Sequence, residues 1–258
     1  MSDYLQRTFG LSRRTALVTG AGRGIGRGMA LALGHAGARV AVNDRRPEDC
    51  EETVALLRQA GAEACAVAFD VSDQAAVLAA QDRLDSEGWH VDILVSNAGV
   101  QNRKPLLETR FEEWKALMEV HVHGALHCTQ AFLPGMCSRG FGRVVMMSSV
   151  SAVATMPLIA AYSTAKASLA ALARAIAVEH GPYGVTANAI APGFVRTDFT
   201  VGLQQRKGFE NFLQEAVPCG RWAAPEDIAP AVLFLASPGG SFVNGQLLAI
   251  DGGMLAKL

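Results

Sequence analysis

The chain lacks a Cys-x-x-Cys pair, a strong net charge and any apolar run as long as a membrane span. Its 258 residues carry a formal net charge of −1, which gives no reason to expect binding to nucleic acid or to an anionic membrane. No apolar stretch approaches the ~20 residues of a transmembrane helix, and the first residues lack the basic-then-apolar pattern of a signal peptide. We therefore expect neither a membrane nor a nucleic-acid partner.

Cysteine is scattered and odd in number, at Cys50, Cys65, Cys128, Cys137 and Cys219. An unpaired set of this kind is typical of free thiols in a reducing compartment and not of a disulfide framework. We therefore expect mostly buried, free thiols and a cytoplasmic protein.

Short β-branched runs alternate with Ala-rich helical runs from end to end. The predicted strands cover residues 15–19, 39–43, 64–69, 91–96, 143–147, 185–191 and 246–250. The predicted helices cover residues 24–37, 48–60, 73–87, 111–137 with an interruption at Pro134, 162–180 and 226–236, and residues 197–215 are less regular. Strands separated by helices imply a parallel sheet with helices on both faces. Because no linker divides the chain, we predict one doubly wound α/β domain over residues 1–258, with about seven strands.

A glycine-rich run, Thr19-Gly-Ala-Gly-Arg-Gly-Ile-Gly26, lies between the first predicted strand and the first predicted helix. Glycines let the backbone approach a pyrophosphate closely, and the helix N-terminus offers free N–H groups. Asp44 ends the next predicted strand, where a carboxylate accepts hydrogen bonds from a ribose 2′-hydroxyl and repels a 2′-phosphate. Arg23, Arg45 and Arg46 either offset that repulsion or form a solvated surface cluster. We therefore favour NAD as the cofactor, with NADP as the alternative.

Tyr162 and Lys166 are four residues apart in an Ala-rich segment, so their side chains share one helix face. A phenol beside a fixed positive charge can have its pKa lowered toward neutrality. An ammonium ~4.5 Å away at an effective dielectric of ~20 supplies about 3.7 kcal/mol, which is close to what a base at neutral pH needs. Ser149 follows a predicted buried strand and so lies at the carboxyl edge of the sheet, where such folds hold ligands. These residues predict a site that transfers a proton.

In this order, the motifs resemble those of the short-chain dehydrogenase/reductase family over nearly the whole chain. The matching pieces are Thr19-Gly-x-x-x-Gly-x-Gly26, Asp70, Asn97-Ala-Gly99, Ser149, Tyr162-x-x-x-Lys166 and Pro192-Gly193. Within the family, residues 4–11, 97–105, 220–222 and 244–255 are similar to gluconate 5-dehydrogenase-like sugar-acid oxidoreductases.

The resemblance implies a Rossmann-type fold, a homotetramer and hydride transfer between a secondary alcohol or ketone and a nicotinamide cofactor. Tyr162 would be the general acid/base, and Lys166 would lower the pKa of Tyr162 and bind the nicotinamide ribose. Ser149 would hold the substrate oxygen. Thr197 would contact the carboxamide of the nicotinamide. The expected cofactor-binding residues are Gly20, Arg23, Gly24, Ile25, Gly26, Asp44, Asp70, Val71, Asn97, Ala98, Gly99, Tyr162, Lys166, Pro192, Gly193, Val195 and Thr197.

One position departs from the family pattern, because His121 stands where the family usually has an Asn that holds a water for proton relay. We hypothesise that His121 takes over the relay and adds a pH dependence below neutrality, since the unperturbed pKa of histidine lies near 6.5. The alternative is a histidine packed in the helix without a catalytic part. His123 and His127 share a helix face, but no acid or cysteine completes a ligand set, so we expect no metal site.

Few residues of the sequence indicate how the substrate is bound. Arg103 can pair with a substrate carboxylate through its planar fork or lie on the surface, and Phe194 is expected to line the pocket beside a mobile lid at residues 197–215. Two alternatives to a redox enzyme stay open: a catalytically silent dinucleotide-binding regulatory module, and a lyase or epimerase on the same scaffold.

Overall fold

Seven strands form one parallel sheet in the computed structural model, which describes residues 3–257. The strands are β1 (Thr15–Val18), β2 (Arg39–Val42), β3 (Ala64–Ala66), β4 (Ile93–Ser96), β5 (Gly142–Met147), β6 (Val185–Pro192) and β7 (Leu247–Ile250). Their order across the sheet is β3-β2-β1-β4-β5-β6-β7, and every neighbouring pair is parallel. The predicted α/β fold with a seven-stranded parallel sheet is confirmed.

Helices cover both faces of this sheet. In chain order they are α1 (Asp3–Phe9), α2 (Gly24–His35), α3 (Pro47–Gln59), α4 (Gln74–Ser86), α5 (Phe111–Met118), α6 (Gly124–Ser138), α7 (Ala160–His180), α8 (Val201–Gln204), α9 (Phe209–Ala216) and α10 (Pro225–Ala236). Apolar side chains of α2, α3 and α10 pack on one face, and those of α4, α6 and α7 pack on the other. Because both faces are covered, the central strands are buried along their whole length. No helix within residues 3–257 has the length and apolar composition needed to cross a bilayer.

The strand order reverses beside β1. The chain runs outward from β1 through β2 to β3 and then returns to β4 on the other side of β1. The connections that leave the carboxyl ends of β1 and β4 therefore diverge, which opens a crevice of the kind in which doubly wound folds bind ligands. The glycine-rich turn after β1, the Asn97 turn after β4 and Ser149 after β5 all lie at this edge.

Three predicted segments differ in the structure. The helix predicted at residues 111–137 is α5 and α6 joined by a π-helix, Glu119–His123, and Pro134 lies inside α6 without ending it. The strand predicted at residues 64–69 ends at Ala66, although Val67 and Phe69 still donate backbone hydrogen bonds to the segment that begins in β2. Residues 197–215 contain α8 and most of α9, and α1 was not predicted.

Candidate active site

The glycine-rich turn after β1 is held tightly against the turn after β4. Gly20 has a φ of +61°, and a Cβ added there would lie 2.9 Å from the Cα of Ala98. A Cβ on Gly26 would lie 2.2 Å from the backbone oxygen of Gly20. The side chain of Asn97 donates to the backbone oxygens of Thr19 at 2.8 Å and of Gly20 at 3.0 Å. These contacts explain why the two turns need small residues and an amide.

The first turn of α2 has the features of a phosphate-binding site. No side chain caps this helix at Arg23, so no side-chain oxygen occupies the N–H groups of its first turn. Gly24 has a φ of +57°, which is the left-handed conformation that glycine adopts without strain. Free N–H groups at the positive end of a helix dipole fit the pyrophosphate of a dinucleotide.

Asp44 stands at the carboxyl end of β2, next to this turn. Its Oδ2 accepts from the backbone N–H of Gly22 at 3.3 Å, and its Oδ1 accepts from the backbone N–H of Arg45 at 2.9 Å. Arg46 is engaged elsewhere, because its guanidinium binds the carboxylate of Asp49 at 2.8 Å and 2.9 Å. The carboxylate of Asp44 thus faces the edge of the crevice where an adenosine ribose would lie.

The remaining predicted cofactor residues lie along the same edge. Asp70 follows β3, and its Oδ1 accepts from the N–H and the hydroxyl of Ser72, which fixes the carboxylate. Val71 is buried against Gly124, where a Cβ would lie 2.6 Å from its methyl carbon Cγ2. A Cβ on Gly193, after β6, would lie 2.9 Å from the Cα of Asp251. Pro192 ends β6, and Val195 and Thr197 follow Gly193 in the next segment.

Ser149, Tyr162 and Lys166 come together at the end of β5. Lys166 is buried in α7, and its Nζ donates to the backbone oxygen of Met147 at 2.7 Å. The same Nζ lies 5.4 Å from the ring centroid of Tyr162. The side chain of Ser149 is close enough to the phenol of Tyr162 to lower its pKa. A hydroxyl, a phenol and an amine thus converge at one point, which is the arrangement needed to hold an oxygen and move its proton.

Burial dominates the ionisation of this pair. It raises the pKa of Tyr162 to about 12, although the side chain of Ser149 and the charge of Arg103 lower it. It also lowers the pKa of Lys166 to about 7. The role of Lys166 in lowering the pKa of Tyr162 stays a prediction, since burial lowers the pKa of the amine as well. The charge of Arg103, which was expected only at the substrate, also lowers the pKa of Tyr162.

His121 lies in the π-helix, and its ring is 2% exposed. Its Nε2 lies 2.7 Å from the backbone oxygen of Val100 and 3.1 Å from the backbone nitrogen of Val100, and its Nδ1 has no partner. The ring stands edge-on to Tyr162 with centroids 5.6 Å apart. Burial lowers the pKa of His121 to about 3, so the ring stays neutral from pH 5 upward and the expected pH dependence below neutrality has no basis here. The relay itself stays a prediction.

The Oγ of Ser96, a second buried polar atom without a partner, lines the same narrow gap as His121. His123 and His127 bind elsewhere, at the carboxylate of Glu119 and the backbone oxygen of Val71. Within residues 3–257, no group of three His, Cys, Asp or Glu side chains is arranged to hold a metal ion.

Two aromatic rings on the substrate side of the site have different surroundings. Phe194 points into an apolar cluster, 5.2 Å from the ring centroid of Phe209 and 5.9 Å from that of Trp222. The ring that lies against Tyr162 is Phe199, at 6.2 Å between centroids. No sequence pattern marked Phe199, because its role depends on how the segment after β6 folds back over α7. Arg103 is half-buried on the loop in which the backbone N–H of Lys104 donates to the oxygen of Leu158 at 3.0 Å, and its contact with a substrate stays a prediction.

Comparison with known proteins gives matches along almost the whole chain. A protein-family profile described as enoyl-(acyl carrier protein) reductase matches residues 20–255. The gluconate 5-dehydrogenase of Gluconobacter oxydans is 37% identical over 250 residues, which is 97% of this chain and 98% of that protein. The 5-keto-D-gluconate 5-reductase of Escherichia coli is 34% identical over 250 residues, with the same coverage of both chains.

A solved structure gives the same result for the fold. The gluconate 5-dehydrogenase of Burkholderia cenocepacia, crystallised with NADP and tartrate, has a TM-score of 0.95 and 36% identity, and the match covers 98% of this chain and 99% of that one. The arrangement of seven strands is therefore shared with a protein that binds a dinucleotide.

Proposed function

Since the chain belongs to the short-chain dehydrogenase/reductase family and is an NAD(P)-dependent oxidoreductase of secondary alcohols or ketones, we propose that its substrate is a sugar acid such as gluconate or its keto form. The observation that supports the substrate class is the half-buried guanidinium of Arg103, which has no carboxylate paired to it among residues 3–257. Its loop is joined to the segment before α7 by the hydrogen bond from the backbone N–H of Lys104 to the oxygen of Leu158 at 3.0 Å. A half-buried cation without an anionic partner is a site for an anionic group. The named relatives that act on gluconate or ketogluconate support the same class.

In the proposed mechanism, Ser149 holds the substrate oxygen by a hydrogen bond and Tyr162 moves its proton. Lys166 stabilises the phenolate: at 5.4 Å from the ring centroid, a charged ammonium contributes about 3 kcal/mol at an effective dielectric of ~20. The bound nicotinamide supplies the hydride chemistry. Oxidation of the alcohol and reduction of the ketone use the same residues in opposite directions.

We assign the dinucleotide to the crevice at the carboxyl edge, with NAD preferred over NADP. The glycine-rich turn and the uncapped start of α2 fit the pyrophosphate, and the carboxylate of Asp44 fits a ribose 2′-hydroxyl better than a 2′-phosphate. Arg45 and Arg23 are the cations close enough in sequence to accept the phosphate in part. Because a relative was crystallised with NADP, we expect NADP to bind this protein more weakly than NAD and not to be excluded.

The test is a substrate panel monitored by cofactor absorbance, with NAD⁺ and NADP⁺ in parallel. The panel contains D-gluconate, a neutral polyol of the same length and a simple secondary alcohol. We expect gluconate to have the highest kcat/KM and Tyr162→Phe to be inactive on every substrate. If the neutral polyol is preferred, the sugar-acid assignment is wrong. If product forms without any change in cofactor absorbance, the enzyme is an epimerase or lyase, and if no product forms while the cofactor binds, it is a silent binding module.

We further propose a homotetramer in the cytoplasm. Two groups of exposed apolar side chains support assembly: Leu106, Leu107 and Phe111 lie at the start of α5, and Val178, Tyr183, Phe242 and Leu248 lie around the end of α7 and β7. Two separate apolar faces allow the dihedral symmetry of a tetramer. Light scattering on the purified protein tests the assembly, and a dimer would contradict it. The five free thiols fit a reducing compartment, and fractionation of the source cells tests the location.

A further inference from the structure

Three arginines meet at the amino edge of the sheet, at the opposite end of the strands from the crevice. Arg14 immediately precedes β1, Arg143 is the second residue of β5, and Arg139 follows the end of α6. The Cζ of Arg14 lies 3.5 Å from the ring centroid of Phe141, and the Cζ of Arg143 lies 4.3 Å from the same centroid. Two cations therefore share one ring, at a place that the proposed function does not use.

The acids near these arginines do not balance their charge. Among residues 3–257, Asp92 is the only acid that pairs with any of the three. Its Oδ1 lies 3.4 Å from Nε of Arg139 and 4.0 Å from Nη1 of Arg14. Arg143 makes no ion pair within the same range. Three positive charges thus face one negative charge, which leaves an excess of two.

Arg143 is buried, with a hydrogen-bonding group left over. The residue is 5% exposed. Its Nη1 donates to the backbone oxygens of Gly142 at 2.8 Å and of Gly184 at 3.4 Å, but its buried Nε has no partner. Burial and the charge of Arg14 lower the pKa of Arg143. Since a buried charge is costly unless a counter-charge and hydrogen bonds compensate it, an anion here would stabilise the fold.

Thr186 carries a second buried polar group without a partner, directly beside Arg143. The two residues are paired in the register of β5 and β6, and neighbouring strands lie about 4.8 Å apart. By the alternation of side chains along a strand, Arg143 shares a face with Val145 and Thr186 shares one with Ile190, and both apolar residues pack under α2, α3 and α10. Thr186 is 7% exposed, and its Oγ1 has no partner. Two unsatisfied groups therefore lie together on one face of the sheet, which indicates an ion or a water.

Arg14 gives this place access to solvent. Its side chain is 38% exposed, and within residues 3–257 its guanidinium donates no hydrogen bond. Its N–H groups are therefore available to a ligand that enters beside Phe141.

We propose that Arg14, Phe141, Arg143 and Thr186, which we call the amino-edge cluster, form a binding site for a phosphate group. Two guanidiniums and a hydroxyl donate from different directions, and a phosphate group has enough acceptor oxygens for all of them. It carries about −1.5 to −2 charges at pH 7, which matches the excess of two positive charges, whereas a water would leave that excess in place. The site goes beyond the proposed function, because it lies at the other end of the strands from Tyr162.

Thermal unfolding of the full chain in saturating NADH tests the site. NADH is present because it occupies the glycine-rich turn, which would otherwise compete for phosphate. Inorganic phosphate is titrated from about 1 to 50 mM, with ionic strength held constant by chloride, and glycerol 3-phosphate is titrated in parallel. We expect phosphate to raise the melting temperature in a saturable way, by roughly 3–6 °C at ten times its dissociation constant. The probe with the lower dissociation constant tells whether the site takes the free ion or a phosphate carried by a metabolite.

Two variants locate the effect. Arg14→Gln and Thr186→Val should each raise the dissociation constant of phosphate by roughly 10-fold or more. Without phosphate, Thr186→Val should keep or raise the melting temperature, because it removes a buried hydroxyl that has no partner. Arg13→Gln is the matched control, because Arg13 is an adjacent exposed arginine outside the cluster, and it should respond to phosphate as the wild type does.

The contrary results are equally defined. If phosphate does not raise the melting temperature of the wild type, or raises that of Arg14→Gln and Thr186→Val by as much, the site is wrong. If phosphate has no effect and Thr186→Val is destabilised without it, a buried water satisfies the cluster and the anion site is likewise wrong.

Discussion

Replacing Gly99 by alanine should destabilise the protein through His121. A Cβ at Gly99 would lie 2.4 Å from Cε1 of the His121 ring and 3.0 Å from its Nδ1. The ring cannot move aside easily, because it is enclosed, stands edge-on to Tyr162 and has its Nε2 2.7 Å from the backbone oxygen of Val100. The added methyl group must therefore displace the ring from its hydrogen bond.

The size of the effect follows from two contributions. Overpacking a buried site costs about 1–3 kcal/mol, and a buried polar group that loses its partner costs about 1–3 kcal/mol more. For a chain of this length each kcal/mol corresponds to roughly 2–4 °C, so we expect the melting temperature of Gly99→Ala to fall by on the order of 10 °C. Calorimetry without ligand, at one protein concentration, measures this change apart from any effect on cofactor binding.

A double-mutant cycle isolates the cause. His121→Asn removes the ring and leaves an amide that can donate to the backbone oxygen of Val100 and accept from its N–H. In that background Gly99→Ala should cost less than about 1 kcal/mol, which gives a coupling of about 2 kcal/mol or more. Gly202→Ala is the matched control, because a Cβ there meets nothing within 4 Å. Additive losses from Gly99→Ala and His121→Asn would refute the reasoning.

Three further changes have defined outcomes. Tyr162→Phe should lower kcat by roughly 10²–10⁴ while the dissociation constant of NADH, measured by fluorescence, stays within about twofold; retained turnover would remove Tyr162 as the acid/base. Asp44→Ala should raise the ratio of kcat/KM for NADP⁺ to that for NAD⁺ by roughly 10-fold or more, because a like charge is removed from the 2′-phosphate; an unchanged ratio would contradict the role of Asp44. The folded-state pKa of His121, about 3, lies below its unfolded value near 6.5, so the unfolded chain takes up the proton first and stability falls as pH drops below about 6.5. Urea unfolding should show that the wild type loses about 2 kcal/mol more than His121→Asn between pH 7.5 and pH 5, and equal losses would contradict the buried, neutral ring.

The sheet order and the dinucleotide end of the site follow from local patterns. A glycine-rich run between a strand and a helix predicts the tight turn that joins them. An acid at the end of the next strand lies beside that turn, because parallel strands end at the same edge of the sheet. Tyr162 and Lys166 are likewise fixed by their spacing on α7. These features could be predicted, since each needs only a few neighbouring residues.

The π-helix at Glu119–His123 could not be predicted in the same way. Its partner is Val100, 21 residues away in sequence, and the helical periodicity on either side of it is intact. The helices within residues 197–215, which the sequence indicated only as a lid, were not predicted for a similar reason. Helix α9 begins at a glycine in the left-handed conformation and is held by an apolar cluster around Phe209 and Trp222, which forms only when α9 folds back toward the end of β6. Both elements depend on tertiary contacts that override local preference.

The pKa values of Tyr162 and Lys166 indicate that the phenol needs further interactions before it can lose its proton. With pKa values of about 12 and about 7, both groups are neutral between those limits. Burial disfavours the charged form of both groups, so moving the phenol proton to the amine is unfavourable in the empty crevice. A further positive charge or hydrogen-bond donor at the phenolate favours its ionisation. Because Ser149 and Arg103 already act on the phenol, that contribution has to arrive with the ligands, so the phenol keeps its proton until the crevice is filled.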